Sequence, residues 1–227
     1  MTETATSAPP ERRIAVWDLP LRLCHWGFAV LIPAMWWTAE NSEWAWHKRC
    51  GLILLGLLLF RIIWGFIGSR TARFASFVRG PGAVLSYLRG GGAKVIGHNP
   101  LGALSVMALL LAMLAQVGMG LFAGDPFDGA TGPLNSLVGV MTADTLTDWH
   151  EMFFDVIVVL VGLHLAAILF YAVVKRRNLI GPMVSGRRVV SDGEDGIGAV
   201  PWVTALITAA VSAGLVIWIA NGAPPLS

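Results

Sequence analysis

The chain has 227 residues, of which 56% are hydrophobic and 13% are charged, and its mean hydropathy is +0.68. Soluble globular domains carry about 45–50% apolar and about 25% charged residues, so this composition excludes an ordinary soluble protein and indicates an integral membrane protein surrounded by lipid. The formal net charge is only +2. Because membrane topology accounts for a small excess of basic residues, no nucleic-acid partner is expected.

Five apolar stretches are each long enough to cross a membrane as a helix. About 20 helical residues span the roughly 30 Å of hydrocarbon, and lipid offers no water to satisfy an open strand or loop. The predicted spans are residues 21–39, 47–68, 101–123, 149–174 and 201–220. The predicted fold is therefore all-α: a four-helix transmembrane bundle followed by a fifth, C-terminal transmembrane helix.

A polar, glycine-rich stretch separates the fifth span from the other four. It reads SGRRVVSDGEDGIGAV over residues 185–200, a composition typical of a connecting segment. We expect three parts: a four-helix core over residues 1–182, a cytoplasmic linker over 183–200, and a fifth helix with a short periplasmic tail over 201–227.

The charges of the connecting segments predict the orientation. Basic residues cluster after the second and fourth spans, whereas the loop predicted over residues 124–148 has aspartates and no Lys or Arg. Because cytoplasmic loops hold the excess of Lys and Arg, the N-terminus is predicted in the cytoplasm and the C-terminus outside. We call the cytoplasmic ends of the spans their inner ends.

Four histidines within the spans fall at two matching depths. His25 and His164 lie toward the inner side, whereas His47 and His150 lie at the outer boundary. His150 and His164 are 14 residues apart, which is about 21 Å along a helix and within about 40° of one face. A helix with two inward imidazoles, each matched on a neighbouring helix, suits two stacked haems. We predict axial ligation by His25 with His164 and by His47 with His150.

The residues before His25 indicate the type of haem. Covalent attachment needs C-x-x-C-H, and in the stretch LRLCH Leu21 stands in the first cysteine position. Non-covalent haem b is therefore expected, twice per chain. Taken singly, His25, His47 or His150 is more often a hydrogen-bonded residue of a helix end, so the pairing by depth is what favours ligation.

Three further residues are candidates to hold haem propionates. Arg61 follows His47 by 14 residues and so lies on roughly the same face, and a buried guanidinium needs a partner such as a carboxylate. The alternative is that Arg61 extends to the inner headgroups. Arg22 and His98 also lie at the inner level, where contact with headgroups is the more common role.

Four stretches together carry a family resemblance: VWDLPLRLCHW (16–26), EWAWHKRCGLILLGLLLFRIIWGFIGSRTARFASFVRGP (43–81), HNPLGALSVMALLLAMLAQVGMGLF (98–122) and DWHEMFFDVIVVLVGLHLAAILF (148–170). Through them most of residues 16–182 resembles the bacterial cytochrome b561 and nickel-iron hydrogenase b-type cytochrome group. The resemblance implies two haems b ligated by His25, His47, His150 and His164. The fifth helix is similar to that of the hydrogenase or thiosulfate-reductase type of subunit.

The same resemblance implies a role in respiratory electron transport at the bacterial inner membrane. Electrons would pass between membrane quinone and a redox partner, such as a periplasmic c-type cytochrome or a hydrogenase, so the chain can be part of a quinone/quinol oxidoreductase. Two other classes stay open on the residues alone. One is a transporter with a histidine and carboxylate proton relay, and the other is a haemless membrane anchor of a redox complex.

Overall fold

The computed structural model describes residues 12–91, 97, 99–125, 130–190 and 196–225. Within this part of the chain the helices are α1 (Leu19–Glu40), α2 (Trp44–Ile67), α3 (Phe74–Phe77), α4 (Pro81–Leu88), α5 (Pro100–Phe122), α6 (Val140–Val173), α7 (Ile180–Ser185) and α8 (Trp202–Ala220). The strands are β1 (Arg12–Ala15), β2 (Gly124–Asp125), β3 (Ala130–Thr131) and β4 (Arg187–Val190), and a short 3-10 helix covers Asn135–Leu137.

Five of these helices are long and apolar enough to cross a membrane. They are α1, α2, α5, α6 and α8, and each covers its predicted span except for at most one terminal residue. The prediction of an all-α integral membrane protein with a fifth, C-terminal helix is confirmed. α1 packs along α2, α5 packs along α6, contacts between α2 and α5 join the two pairs, and α8 packs along α2.

The fourth span is longer than predicted. α6 begins at Val140, directly after Gly139, and not near residue 149, so the last nine residues of the loop predicted over residues 124–148 are helical. The prediction was wrong there because it followed hydropathy, and the first two turns of α6 contain Thr and Asp. With 34 residues α6 is about 51 Å long. Since the hydrocarbon core is about 30 Å thick, the first turns of α6 project beyond it.

Side-chain caps begin two of the spanning helices. Asp18 accepts a hydrogen bond from the backbone N–H of Leu21 (2.6 Å) at the start of α1, and Asn99 accepts one from Gly102 (2.7 Å) at the start of α5. Proline follows in the first turn of both helices, where a missing N–H costs nothing. Asp18 also accepts hydrogen bonds from Trp64 Nε1 (3.0 Å) and from the Ser69 hydroxyl, so it joins the start of α1 to the end of α2.

The two ends of the bundle differ in charge. The acidic end, where α1 and α5 end and α2 and α6 begin, carries Glu40, Glu43, Asp144 and Asp148, with Lys48 and Arg49. The opposite, basic end carries clusters of arginine after α2 and after α6. This is the charge distribution on which the predicted orientation depends.

A small sheet closes the basic end. β1 pairs antiparallel with β4, with Arg12 opposite Val190 and Ala15 opposite Arg187, and the side chains of Ile14 and Val190 are buried. Part of the expected linker over residues 183–200 is therefore an ordered strand that joins the N-terminal segment to the chain after α6. Each strand has two arginines followed by two apolar residues, and the buried Ile14 and Val190 are among those apolar residues. The division into three parts stays a prediction.

Candidate functional site

The four histidines of the predicted haem sites meet in two pairs at two levels of the bundle. The ring centroids of His47 and His150 are 6.1 Å apart, and we call them the acidic-end pair. The ring centroids of His25 and His164 are 6.4 Å apart, and we call them the basic-end pair. α6 supplies one member of each pair, whereas α2 and α1 supply the other members. His98 lies outside the described residues.

The spacing of the rings fits a metal ion between them. An imidazole nitrogen binds a metal ion at about 2.0–2.1 Å and lies about 1.1 Å from its ring centre, so two axial rings are roughly 6.3 Å apart. Both observed spacings are close to this value. Within the described ranges no group of three or more His, Cys, Asp or Glu side chains could hold a metal ion. A site with two protein ligands suits a metal that brings its own equatorial ligands, as haem iron does.

Hydrogen bonds to α1 hold the ring of His47. Its Nδ1 lies 3.0 Å from the carbonyl oxygen of Met35 and 3.3 Å from Oγ1 of Thr38, and the Thr38 hydroxyl itself donates to Met35 O (2.9 Å). Because a carbonyl can only accept, Nδ1 carries the proton in this arrangement. The lone pair is then on Nε2, as metal ligation by that nitrogen requires.

A reciprocal pair of hydrogen bonds joins His150 to α5. His150 Nδ1 donates to the carbonyl oxygen of Gln116 (2.9 Å), and Gln116 Nε2 donates to the carbonyl oxygen of His150 (2.8 Å). The side chain of Gln116 is buried. One turn further along α5, a Cβ atom at Gly120 would lie only 2.8 Å from His150 Cε1. Glycine is therefore needed at position 120 for the ring to approach the helix.

The basic-end pair has weaker contacts at Nδ1. His25 Nδ1 is buried and has no hydrogen-bond partner among the residues that the structure describes. His164 Nδ1 lies 3.4 Å from the Ser105 hydroxyl, which is near the limit for a hydrogen bond. The two levels of the bundle thus both have paired histidines but differ in the groups around the rings.

Arg61 is a buried cation in the basic-end half of α2. Its side chain is 4% exposed, and its Cζ lies 4.8 Å from the ring centroid of Phe74. Nη1 is buried without a hydrogen-bond partner in the described part of the chain. The Cys24 thiol, next to His25, contacts the carbonyl oxygen of Leu57 (3.8 Å), one turn before Arg61 on α2. A buried guanidinium with an open donor favours a further acceptor, and an anionic acceptor most of all.

Arg22 has partners within the protein. Its Nε donates to the carbonyl oxygen of Met183 (3.2 Å), and its Nη2 donates to that of Val184. Trp26 Nε1 also donates to Met183 O (3.2 Å). These contacts satisfy carbonyls in the last turn of α7, so Arg22 ties α1 to the segment after α6. A propionate contact for Arg22 stays a prediction.

Sequence reasoning did not find Gln116, Thr38 and Gly120. Gln116 carried a signal, because a polar amide in the middle of an apolar span requires a partner. Thr38 and Gly120 carried little signal in the sequence, because a threonine near a helix end and a glycine in a membrane helix are both common.

The fold and the paired rings define a class: a multi-pass helical membrane protein with two imidazole pairs in its bundle. The family model for prokaryotic cytochrome b561 matches residues 16–186. The chain therefore belongs to the prokaryotic cytochrome b561 family, as its sequence resemblance predicted. It is a membrane cytochrome of the b type that binds haem and takes part in electron transport.

Two curated relatives are similar to this chain over most of their length. One, from Bradyrhizobium diazoefficiens, is 24% identical over 230 residues, which cover 83% of this chain and 93% of the relative. The other, from Azotobacter chroococcum mcd 1, is 26% identical over 217 residues, which cover 79% and 90%. Each is named "Probable Ni/Fe-hydrogenase B-type cytochrome subunit". No solved structure matches the chain.

Proposed function

We propose that this chain is a di-haem cytochrome b that carries electrons between membrane quinone and a redox partner. The observation that carries the proposal is the presence of two histidine pairs, at two levels, whose ring spacings of 6.1 and 6.4 Å suit one metal ion each. The location is the bacterial inner membrane, with the N-terminus in the cytoplasm and the C-terminus in the periplasm. The charges at the two ends of the bundle support this orientation.

His47 with His150, and His25 with His164, would supply the axial ligands. Haem iron in such a site supplies one-electron transfer. With two imidazoles of the protein as its ligands, a bound haem would supply electron transfer and would offer no open position for oxygen or substrate. The hydrogen bonds from the rings to Met35 and Gln116 orient the His47 and His150 rings.

Arg61 would hold a haem propionate at the basic-end pair. The supporting observations are its burial, the open Nη1 donor and its position in the basic-end half of α2. Arginine binds carboxylates through two parallel hydrogen bonds, which also fixes the orientation of the group that it holds.

The names of the relatives and the proposed location in the membrane support the choice of partner and substrate. Both relatives carry hydrogenase in their names, which supports a hydrogenase or a similar periplasmic enzyme, or a c-type cytochrome, as the redox partner. Quinone is the mobile carrier expected within the lipid. No residue is assigned to the quinone site.

Replacement of single ligands tests this proposal. We expect His164→Ala to lose the haem of the basic-end pair and to keep the haem of the acidic-end pair. We expect His150→Ala to lose the haem of the acidic-end pair and to keep the haem of the basic-end pair. Haem per purified chain is measured by the pyridine haemochrome method. Leu163→Ala is the matched control, because Leu163 is the exposed neighbour of His164 on the same helix.

Full haem content in His164→Ala would contradict the ligand assignment. Absence of haem from the unaltered chain would favour the other two classes. Proton transport without haem would indicate the relay, and assembly of a partner enzyme without haem would indicate the anchor.

A further inference from the structure

The two histidine pairs differ in what their Nδ1 atoms contact. Both rings of the acidic-end pair donate to main-chain carbonyls, His47 to Met35 O at 3.0 Å and His150 to Gln116 O at 2.9 Å. In the basic-end pair, His25 Nδ1 has no partner within the described residues, and His164 Nδ1 has only Ser105 Oγ at 3.4 Å. Each ring of the acidic-end pair therefore has a closer Nδ1 hydrogen bond than either ring of the basic-end pair.

A hydrogen bond from Nδ1 changes the ligand strength of the ring. When Nδ1–H donates to a carbonyl, electron density at Nε2 increases and the imidazole becomes a more basic ligand. A more basic ligand stabilises the ferric state relative to the ferrous state. A site in which both rings donate in this way therefore has a lower reduction potential than a site in which neither ring donates strongly.

Fixed charges favour the same order of reduction potentials, with the lower potential at the acidic-end pair. Reduction adds one negative charge to a haem site, so a nearby cation raises the reduction potential and nearby carboxylates lower it. The buried cation Arg61 lies in the basic-end half of α2, one turn from the Leu57 carbonyl that Cys24, the neighbour of His25, contacts. The acidic end carries Glu40, Glu43, Asp144 and Asp148, against Lys48 and Arg49.

From these observations we infer that the acidic-end pair forms the low-potential haem site, and that Gln116 and Gly120 are positioning residues for it. Gln116 holds α5 against α6 through its Nε2 bond to the His150 carbonyl, which keeps its own carbonyl within reach of the ring. Gly120 leaves the space that the ring needs. The inference rests on the proposed function, because it takes the two pairs as ligands of two haems.

The order of the potentials is tested in single-site variants. His164→Ala retains the acidic-end haem and His150→Ala retains the basic-end haem, so each variant titrates as one component in a spectroscopic redox titration. The expected result is a lower midpoint in His164→Ala than in His150→Ala. Equal midpoints, or the reverse order, would overturn the inference. A variant that keeps two haems would instead contradict the ligand assignment and hence the proposed function.

A second measurement keeps both ligand pairs intact. The added methyl group of Gly120→Ala would press on the His150 ring and weaken its bond to Gln116 O. The expected result is two haems per chain, a shift of the lower midpoint to more positive values, and an unchanged upper midpoint. A changed ferric low-spin electron paramagnetic resonance signal should accompany the shift. Gly118→Ala is the matched control, because a Cβ atom at Gly118 meets nothing within 4 Å.

The variants Gly120→Ala and Gly118→Ala also distinguish a failure of this inference from a failure of the proposed function. If Gly120→Ala shifts the upper midpoint, or shifts neither midpoint while both haems are present, the inference is wrong although the proposed function stands. If Gly118→Ala shifts the same midpoint by the same amount, the effect belongs to α5 as a whole and the role assigned to Gly120 is wrong. Gln116→Leu provides an independent check, with the same direction of shift expected.

Discussion

Buried polar side chains of the spanning helices lie beside the histidines. Gln116 is 7% exposed and contacts His150, and Thr38 is 5% exposed and contacts His47. Arg61 is also buried and lies one turn after Leu57, whose carbonyl Cys24 contacts. The helix face on which Arg61 lies was predictable from the sequence, because a spacing of 14 residues from His47 places both residues on one face. Gln116 and Thr38 were not assigned from sequence, since their partners lie on other helices and are in part main-chain carbonyls, which any residue can supply.

Arg61→Leu tests the proposed propionate contact. Loss of the cation should leave two haems per chain and lower the midpoint of the basic-end haem by about 60 mV, which corresponds to roughly 1.4 kcal/mol for one electron. A redox titration measures the shift, and Arg61→Lys, which keeps the charge, should give a smaller one. Unchanged midpoints in Arg61→Leu would remove the propionate role.

Asp18→Ala tests the junction between α1 and α2. The substitution leaves the donors of Leu21, Trp64 and Ser69 without their acceptor, so we expect a loss of stability of about 2–4 kcal/mol. Thermal unfolding in detergent, followed by circular dichroism, measures the loss. Asp144→Ala, which alters an exposed aspartate of α6, is the control and should unfold like the unaltered chain.

At the scale of helices and strands, the sequence predicted all five spans but not every boundary. Hydropathy located the lipid-facing part of each helix and therefore missed the polar first turns of α6, which begins at Val140. The pairing of β1 with β4 joins Arg12 to Val190, and a contact between residues so far apart in the chain has no local signal.

Ser212→Leu tests the role of the fifth helix. α8 packs on α2 with Ala205, Thr208 and Ser212 buried, and it contributes none of the paired histidines. Overpacking this contact should cost about 1–3 kcal/mol of stability and leave two haems per chain. Unfolding temperature and haem content are measured together, with Val211→Leu, at an exposed neighbouring position, as the control. Loss of haem in Ser212→Leu alone would show that α8 shapes a haem site.

At the scale of the whole molecule, the charge difference between the two ends bears on orientation. The arginine clusters after α2 and α6 lie at one end, and the carboxylates around α6's first turns lie at the other. With five spans the termini lie on opposite sides of the membrane. The positive-inside rule then predicts the N-terminus in the cytoplasm and the C-terminus in the periplasm.

Reporter fusions test the orientation. Alkaline phosphatase, which is active only outside the cytoplasm, should be active when fused after residue 225 or within the segment between α5 and α6, and inactive when fused after residue 80. Green fluorescent protein at the same positions should give the opposite pattern. Phosphatase activity at residue 80 would contradict the predicted orientation while leaving the fold unaffected.

The number of haems in the purified chain is the most decisive measurement for the di-haem assignment. The two ring pairs, 6.1 and 6.4 Å apart, predict two non-covalent haems b per chain in a pyridine haemochrome assay, both extracted by acidic acetone. A single haem per chain would contradict one of the two pairs. No haem, or haem that stays attached to the protein after extraction, would contradict the assignment of a di-haem cytochrome b.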